Sequence, residues 1–527
     1  MSPAAASSSR RIAHSTGVLA LATGASRILG FVRDMLMAGL FGTGVQAEAF
    51  VVAFRIPNLL RDLVAEGAVT SAFVPVLSWY RAKQPEEFWP LSQALFARVA
   101  VVVTLLGVIG TLAAEPLIRV IAPGFAQDPE RFALTVRLTR MLFPFITLVG
   151  LWAYFMGLLN SLHHFLMPAA GPVILNIAMI VPCLWMVPQT EPSIVAMAAG
   201  VMVGGVIQLL VQVPSALRLG FRFRWRWRHP GSEKIMALLG PRMVGTAVYQ
   251  ASVLIDTALA SLAAVVGHGA VAALYFANRL VQLPMGMFGT ASAQASLPSL
   301  AEQAAHEDWP AFSSTLLSVL RMVAFVIVPS TVGLIALAFP IVTGLLERGA
   351  FDHRSTIITA QALTCYALGL PAYSASKILA GSLYALHDTR TPVRLAAEAL
   401  VVNVLLSVAL MWPLKLNGLA LAAAISNTMN AVRLTRCLER RLKLPVFEPM
   451  RVPAARIAAA SIVMGIGCWL GDAVLGARLP AWVTLSSLIG AGFVIYICAC
   501  KLLRVKELST VVRWLGNPPL LQSFVSE

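Results

Sequence analysis

Ten charged residues interrupt segments that are otherwise apolar: Arg27, Arg33, Asp34, Glu48, Arg55, Arg61, Asp62, Glu66, Asp256 and Arg279. A charge within a membrane-spanning helix costs about 2.5–3.5 kcal/mol on insertion scales, so it faces a cavity or a partner. Arginine dominates the set. Its guanidinium fork binds phosphate oxygens bidentately and never deprotonates, so several arginines in a partly dehydrated cavity suit a pyrophosphate group. The neighbouring acids neutralise and orient them when no anion is present. Arg279 lies in an apolar helix with no adjacent acid, which favours a cavity role. Asp256 is isolated between Val253-Leu-Ile255 and Ala258-Leu-Ala260, the setting of an ion or proton site; a pair with Arg279 is the alternative.

Structural readings compete for several of these residues. Arg33-Asp34 and Arg61-Asp62 also fit interfacial pairs near helix ends, and Glu48, early in its segment, also fits exposure to bulk water. Arg98 and Arg321 stand at corresponding points of two apolar segments and fit snorkelling to the surface. Lys377 lies deeper, where a cavity role and a pair with Glu398 are equally good readings. Pro57, Pro75, Pro284 and Pro298, with Gly67, Gly286 and Gly289 nearby, bend the helices that carry them.

Enzyme chemistry has little support. The sequence holds no GxxxxGK[ST] phosphate loop, HExxH or GxSxG motif and no Asp-rich metal–diphosphate cluster. Its six cysteines lack zinc spacing. We therefore expect no catalytic residue and no metal. The formal charge of +16 comes from short clusters between apolar runs, with no basic face of the kind that binds nucleic acid.

The elements that must hold these charges are membrane helices. Of 527 residues, 58% are hydrophobic and only 12% charged, about half the charge of a soluble domain, and the mean hydropathy is +0.79. Apolar runs of spanning length begin near Ser15, Ala47, Ser92, Thr135, Pro168, Ser193, Ser232, Gly269, Thr315, Thr356, Pro392, Gly418, Pro453 and Ala481, about fourteen in all. The first, second, seventh and eighth are the least apolar, and they carry the charges. Lys and Arg concentrate in alternate loops, above all at 218–234 and 433–456, which puts both termini in the cytoplasm. The alternating run Phe221-Arg-Phe-Arg-Trp-Arg-Trp-Arg228 has no strand to pair with and reads as an interfacial segment with aromatic and basic anchors.

The chain repeats itself. Ala53-Phe-Arg-Ile56 returns as Ala277-Asn-Arg-Leu280, a shift of 224 residues, and Ser161-Leu-His-His164 with Pro168 returns at the same shift as Ala385-Leu-His-Asp388 with Pro392. Phe73-Val-Pro-Val-Leu77 returns one residue out of step as Ser296-Leu-Pro-Ser-Leu300. Six spans fit within the shift, so the copies have one orientation: parallel repeats, with substrate between them near the midplane. The expected architecture is an all-α polytopic membrane protein of about fourteen helices. A lobe of helices 1–6 occupies residues 1–230, a lobe of helices 7–12 occupies 231–445, and helices 13–14 occupy 446–527.

The blocks Arg27-Ile-Leu-Gly-Phe-Val-Arg-Asp34, Ala47-Glu-Ala-Phe50, Phe54-Arg-Ile-Pro-Asn-Leu-Leu-Arg61, Ala65-Glu-Gly-Ala68 and Ala72-Phe-Val-Pro75 closely resemble the MurJ (MviN) lipid II flippases of the multidrug/oligosaccharidyl-lipid/polysaccharide exporter superfamily. Tyr275-Phe-Ala-Asn-Arg-Leu280, Gln282-Leu-Pro284 and Leu297-Pro-Ser-Leu300 extend the resemblance more loosely. It implies two six-helix lobes in a V, a groove for the lipid tail at the last two helices, and alternating access that carries lipid II to the periplasmic leaflet of the inner membrane. The substrate-binding candidates are then Arg27, Arg33, Asp34, Glu48, Asn58, Arg61 and Arg279. Glu48 stands where the family often has Asp, and Gln282 where some members have an acid. Asp256 matches a position linked in some members to sodium. No cofactor is expected beyond sodium or the membrane potential as energy source, and the expected partners are lipid II, membrane lipids and the cell-wall synthesis machinery. The rival readings are a sister transporter of polysaccharide-lipids or drugs, an inactive membrane scaffold, and a membrane glycosyl- or phospho-transferase.

Overall fold

A computed structural model describes residues 3–62, 72–186, 188–189, 193–442, 445–476 and 478–510. The Ala65–Ala68 motif, with Glu66 and Gly67, lies outside the described residues, as does the side chain of Asp62. The described residues contain helices and turns and no strand. This follows from the solvent: inside hydrocarbon, a helix satisfies its backbone N–H and C=O groups within one segment.

Two compact units divide the chain, one of residues Met1–Ala264 with Arg348–Phe351, the other of Val265–Glu347 with Asp352–Glu527. The first holds α1 (Pro3–Phe41), α2 (Val45–Asp62), α3 (Val74–Lys83), α4 (Pro85–Leu112), α5 (Ala114–Ile121), α6 (Pro129–Leu142), α7 (Phe145–Ser161), α8 (Leu166–Met186), α9 (Ile194–Arg218) and α10 (Pro230–Ala260). A single turn, α11 (Ala263–Val266), spans the junction. The second unit holds α12 (Ala270–Pro284), α13 (Ala291–Ala305), α14 (Trp309–Ala336), α15 (Ala338–Leu346), α16 (His353–Ala385), α17 (Arg390–Leu414), α18 (Leu416–Leu442), α19 (Phe447–Leu475) and α20 (Ala481–Leu502). Helix α10, assigned by the sequence reading to the second lobe, clusters with the first unit.

Each of the fourteen expected span starts falls within a helix or on its cap. Among the described residues, α4, Pro129–Ser161 (α6 through α7), α8, α9, α14, α17, α19 and α20 are long and apolar enough to cross a membrane on composition alone. Among the described residues the eighth span, α12, falls short of that measure, as expected, and so do α16 and α18. Helix α16 buries hydroxyls at Ser355, Thr356, Thr359, Ser374, Ser376 and Ser382, which lowers its hydropathy but suits close helix packing. Helix α18 ends in Arg433, Arg436, Arg440 and Arg441.

The repeat is written into the element boundaries. Helix α4 breaks at Ala113 before α5, and α14 breaks at Leu337 before α15, 224 residues later. Asp128 caps α6 by accepting from Arg131 N, and Asp352, at the same shift, caps α16 by accepting from Ser355 N. The Ser355 hydroxyl and backbone N–H together hold the Asp352 carboxyl below its ordinary value. At the other end of the pattern, His163 (φ 62°) and His387 (φ 58°) take the left-handed conformation in identical turns that stop α7 and α16. A fourth echo involves Arg98 and Arg321. Arg98 Nε donates to Trp227 O at 3.0 Å and Arg321 Nη2 to Pro449 O at 3.0 Å. Each therefore ties an early helix of its unit to the segment that follows that lobe's sixth span.

In the first unit α1 packs on α8, α2 on α6, and α7 on α4 and α9. Gly124 lets the turn before α6 touch the end of α10: its N–H donates to Ser261 Oγ at 3.0 Å, and a Cβ there would collide with the Ser261 carbonyl. Residues 221–229 run extended without a pairing strand. Phe221 is buried in an aromatic cluster with Phe96, Tyr154 and Phe155, while Phe223, Trp225, Trp227 and the four intervening arginines are exposed. In the second unit α16 packs on α18, α17 on α18, and α14 on α19, with Tyr496 of α20 donating to Phe325 O at 2.7 Å.

Candidate functional site

The first unit gathers its charge around α1. Arg33 and Asp34 are both buried, and the Arg33 guanidinium grips Asp34 Oδ1 through Nη2 at 2.7 Å and Nε at 3.1 Å. Nη1 turns to Asn176 Oδ1 of α8 at 3.1 Å, and Asn176 Nδ2 donates in turn to Ser26 O of α1 at 3.0 Å. Asn176 thus fixes both the guanidinium and the turn of α1 that carries Arg27, whose own side chain is exposed. The pair is a braced, buried one and not an interfacial pair. Sequence reasoning missed Asn176, although an amide among the apolar residues of α8 is the signal that marks it. Asn176→Leu is expected to cost about 2 kcal/mol, the loss of a hydrogen bond to a charged group, and to lower the melting temperature of the purified protein. Met179→Leu, which removes only a weak sulfur acceptor of Arg33, is expected to leave it nearly unchanged.

Glu48 is also buried, at 2% side-chain exposure, and its Oε2 lies 3.0 Å from Arg131 Nη1. Arg131 reaches Asp128 Oδ2 at 3.4 Å and sits over the Phe125 ring at 5.2 Å. Glu48 therefore braces α2 against the first turn of α6 and does not face bulk water. Arg131 is a second residue the sequence reading passed over. Farther along α2, Arg55, Asn58 and Arg61 are half-buried. Asp256 is half-buried near the end of α10, in the first unit, whereas Arg279 belongs to the second.

In the second unit Arg279 lies on α12. Its guanidinium carbon is 5.1 Å from the Tyr275 ring centre, Nη2 is 3.3 Å from the Tyr275 hydroxyl and Nη1 3.5 Å from Gln282 Oε1. Helix α12 ends at Pro284 and passes through a π-helical turn, Met285–Thr290, into α13. Proline and a π-turn are recognised causes of a helix bend, and π-turns gather at functional sites. Beside this bend Lys377 donates to Thr290 Oγ1 at 3.1 Å and lies over the Tyr373 ring at 5.3 Å. The pairing of Lys377 with Glu398 is corrected by the structure: Glu398 is held instead by Arg394, one turn away on α17 at 2.9 Å, and by Arg433 of α18. Chemically, each unit presents guanidinium groups positioned by amide, hydroxyl or carboxylate neighbours on the spans least suited to lipid.

Comparison with known proteins agrees with this architecture. The profile described as Lipid II flippase MurJ matches residues 37–495. The lipid II flippase MurJ of Burkholderia cenocepacia is 33% identical over 455 residues, covering 84% of this chain and 87% of the relative. The probable lipid II flippase MurJ of Rhizobium tropici is 37% identical over 453 residues, 84% of each. Among solved structures, lipid II flippase MurJ in an inward closed conformation aligns with a TM-score of 0.78 at 25% identity over 92% of this chain and 98% of that one. A multidrug resistance MATE family transporter of the MOP superfamily, inward-facing, aligns at 0.68 with 15% identity over 79% of this chain and 94% of that one, a likeness of fold alone. With the motifs, the repeated helices and a profile that runs through both units in agreement, this chain belongs to the lipid II flippase MurJ family.

Proposed function

We propose that the protein carries lipid II from the cytoplasmic to the periplasmic leaflet by alternating access, with Arg27, Arg33, Arg61 and Arg279 holding the diphosphate. It is a multi-pass inner-membrane transporter and not an enzyme. The observation that carries the arginine assignment is the buried relay Asp34–Arg33–Asn176–Ser26, which spends buried hydrogen-bonding groups to hold a cation on a membrane helix. An ionisable group held inside a membrane span is by default a functional candidate. Asp34, Glu48 and Asn58 complete the candidate set, Asp34 by orienting Arg33 and Glu48 through its brace to α6. The lobes rock as the headgroup crosses while the polyprenyl tail stays in the bilayer along the last two spans, α19 and α20. Release is driven by the membrane potential or by sodium at Asp256, both termini lie in the cytoplasm, and the cell-wall synthesis machinery receives the product.

The test is complementation in cells depleted of their own lipid II flippase, with periplasmic lipid II measured directly at matched membrane levels. Wild type is expected to rescue growth, and Arg27→Ala and Arg61→Ala to fail. Rescue by both variants would sink the arginine assignment and leave translocation intact; a well-inserted wild type without translocation would remove the lipid II reading itself. Asp256→Asn is expected to slow translocation several-fold and, in the sodium case, to abolish its dependence on external sodium. Unchanged sodium dependence in that variant would exclude Asp256 as the coupling site.

A further inference from the structure

We propose that the second unit binds the phosphate of an anionic membrane phospholipid in a groove between the start of α14 and the residues that follow α20. The groove encloses about 320 Å³. One wall is a stripe of α14, Ser314, Leu317, Ser318, Arg321 and Met322, whose spacing places them on one helix face. Lys506, Glu507 and Thr510 form the other.

The lining supplies what a phosphate diester needs. Arg321 spends Nη2 on Pro449 O, while its buried Nε makes no hydrogen bond. Five N–H donors on a guanidinium leave the remainder for an anion. Lys506 is exposed and carries a second positive charge, and Ser318 and Thr510 offer hydroxyls, the Ser314 hydroxyl being donated to Ala311 O at 3.0 Å. Glu507 is the one acid; against Arg321 on the facing wall and Lys506 beside it, the lining stays net positive. Leu317 and Met322 give an apolar floor for the glycerol carbons. Around the groove the field is more basic still: Arg451 and Arg456 open α19, Lys501 and Arg504 close α20, all four are exposed, and Arg456 Nη1 donates to Arg504 O at 3.3 Å.

Position and size select the source of the phosphate. The groove lies where α20 passes from exposed apolar residues, ending at Leu502 and Leu503, to the basic segment beyond. That transition marks the headgroup layer, where each Lys or Arg gains about 1 kcal/mol from anionic lipid. A volume near the lower limit for ligand pockets suits one phosphate headgroup better than a disaccharide-peptide. The site therefore belongs to a bilayer phospholipid, and it stands independently of the transport mechanism proposed above.

The test uses the full chain, purified in detergent and stripped of lipid, with bound molecules counted by native mass spectrometry. Dioleoylphosphatidylglycerol is expected to bind more tightly than dioleoylphosphatidylcholine. Arg321→Gln/Lys506→Gln is expected to weaken it about tenfold or more, and Lys506→Gln alone, at an exposed position that folding does not need, about three- to fivefold. Arg390→Gln, an exposed cation elsewhere, is expected to change nothing. Equal binding by wild type and Lys506→Gln, or equal affinity for the two lipids, would overturn the proposal. So would preferential retention of undecaprenyl diphosphate, which would make the groove part of the substrate path, or displacement of lipid by inorganic phosphate, which would make it a free-anion site.

Discussion

Arg279→Ala is expected to abolish translocation, with periplasmic lipid II falling to the level of flippase-depleted cells, and Arg279→Lys to restore little of it. The guanidinium reaches Tyr275 and Gln282 through hydrogen bonds of 3.3 and 3.5 Å. Bonds of that length are weak. The Tyr275 ring beneath the guanidinium, at 5.1 Å, holds the plane of the fork through cation–π attraction. Removing one partner from a desolvated charge pair costs about 2–5 kcal/mol, which corresponds to roughly thirty- to several-thousand-fold in affinity. Lysine keeps the charge but has neither the fork nor the planar stacking, so its failure would separate bidentate recognition from simple neutralisation. Tyr275→Phe keeps the ring and loses only the long hydrogen bond, so it is expected to retain most activity. Full rescue by Arg279→Ala would remove this residue from the diphosphate site.

Much of this architecture was legible because membrane helices obey a severe rule. A span must be apolar unless a side chain has somewhere polar to point, so the ten interrupting charges marked the unusual helices, and the motif at Ala53 and Ala277 exposed the repeat. The repeat's detail was subtler: the caps at Asp128 and Asp352 and the left-handed turns at His163 and His387 are conformational, and only the second pair lies within a matched sequence motif. The residues missed share one cause. Arg131 finds Glu48 on a helix 83 residues earlier, and Asn176 finds Arg33 across 143. Such partners depend on which helices pack together, which composition and spacing do not encode. The Lys377–Glu398 pair, one of two readings the sequence left equal, is the converse. The two lie close in sequence, but Glu398, near the start of α17, meets Arg394 on its own helix and Arg433 on α18, while Lys377 meets Tyr373 one turn back and Thr290 at the π-turn. Hydropathy likewise could not show that α16 hides its hydroxyls against other helices.

Glu48→Gln is expected to lower the stability of the folded protein by about 3–5 kcal/mol, the cost of leaving one member of a buried ion pair without its partner. For a unit of this size that is a fall in melting temperature of roughly 10 °C. Side-chain exposures of 2% for Glu48 and 7% for Arg131 mean that water cannot replace the lost carboxylate. Asp128, 3.4 Å from Arg131 Nε and 41% exposed, compensates only in part. Arg131→Gln is expected to be destabilising too, because it removes the guanidinium 3.0 Å from the buried Glu48 carboxylate. The double variant Glu48→Gln/Arg131→Gln replaces two buried charges by two amides and is expected to recover a large share of the loss, giving a coupling energy well above the additive limit for independent sites. Melting temperatures of the four proteins in one detergent measure that cycle. Translocation separates the brace from a substrate contact. As a brace, Glu48 loses activity in proportion to stability and regains it in the double variant. If Glu48→Gln melted like wild type yet failed to move lipid II, and the second substitution rescued nothing, the carboxylate would be acting on the substrate and the ion pair with Arg131 would be incidental.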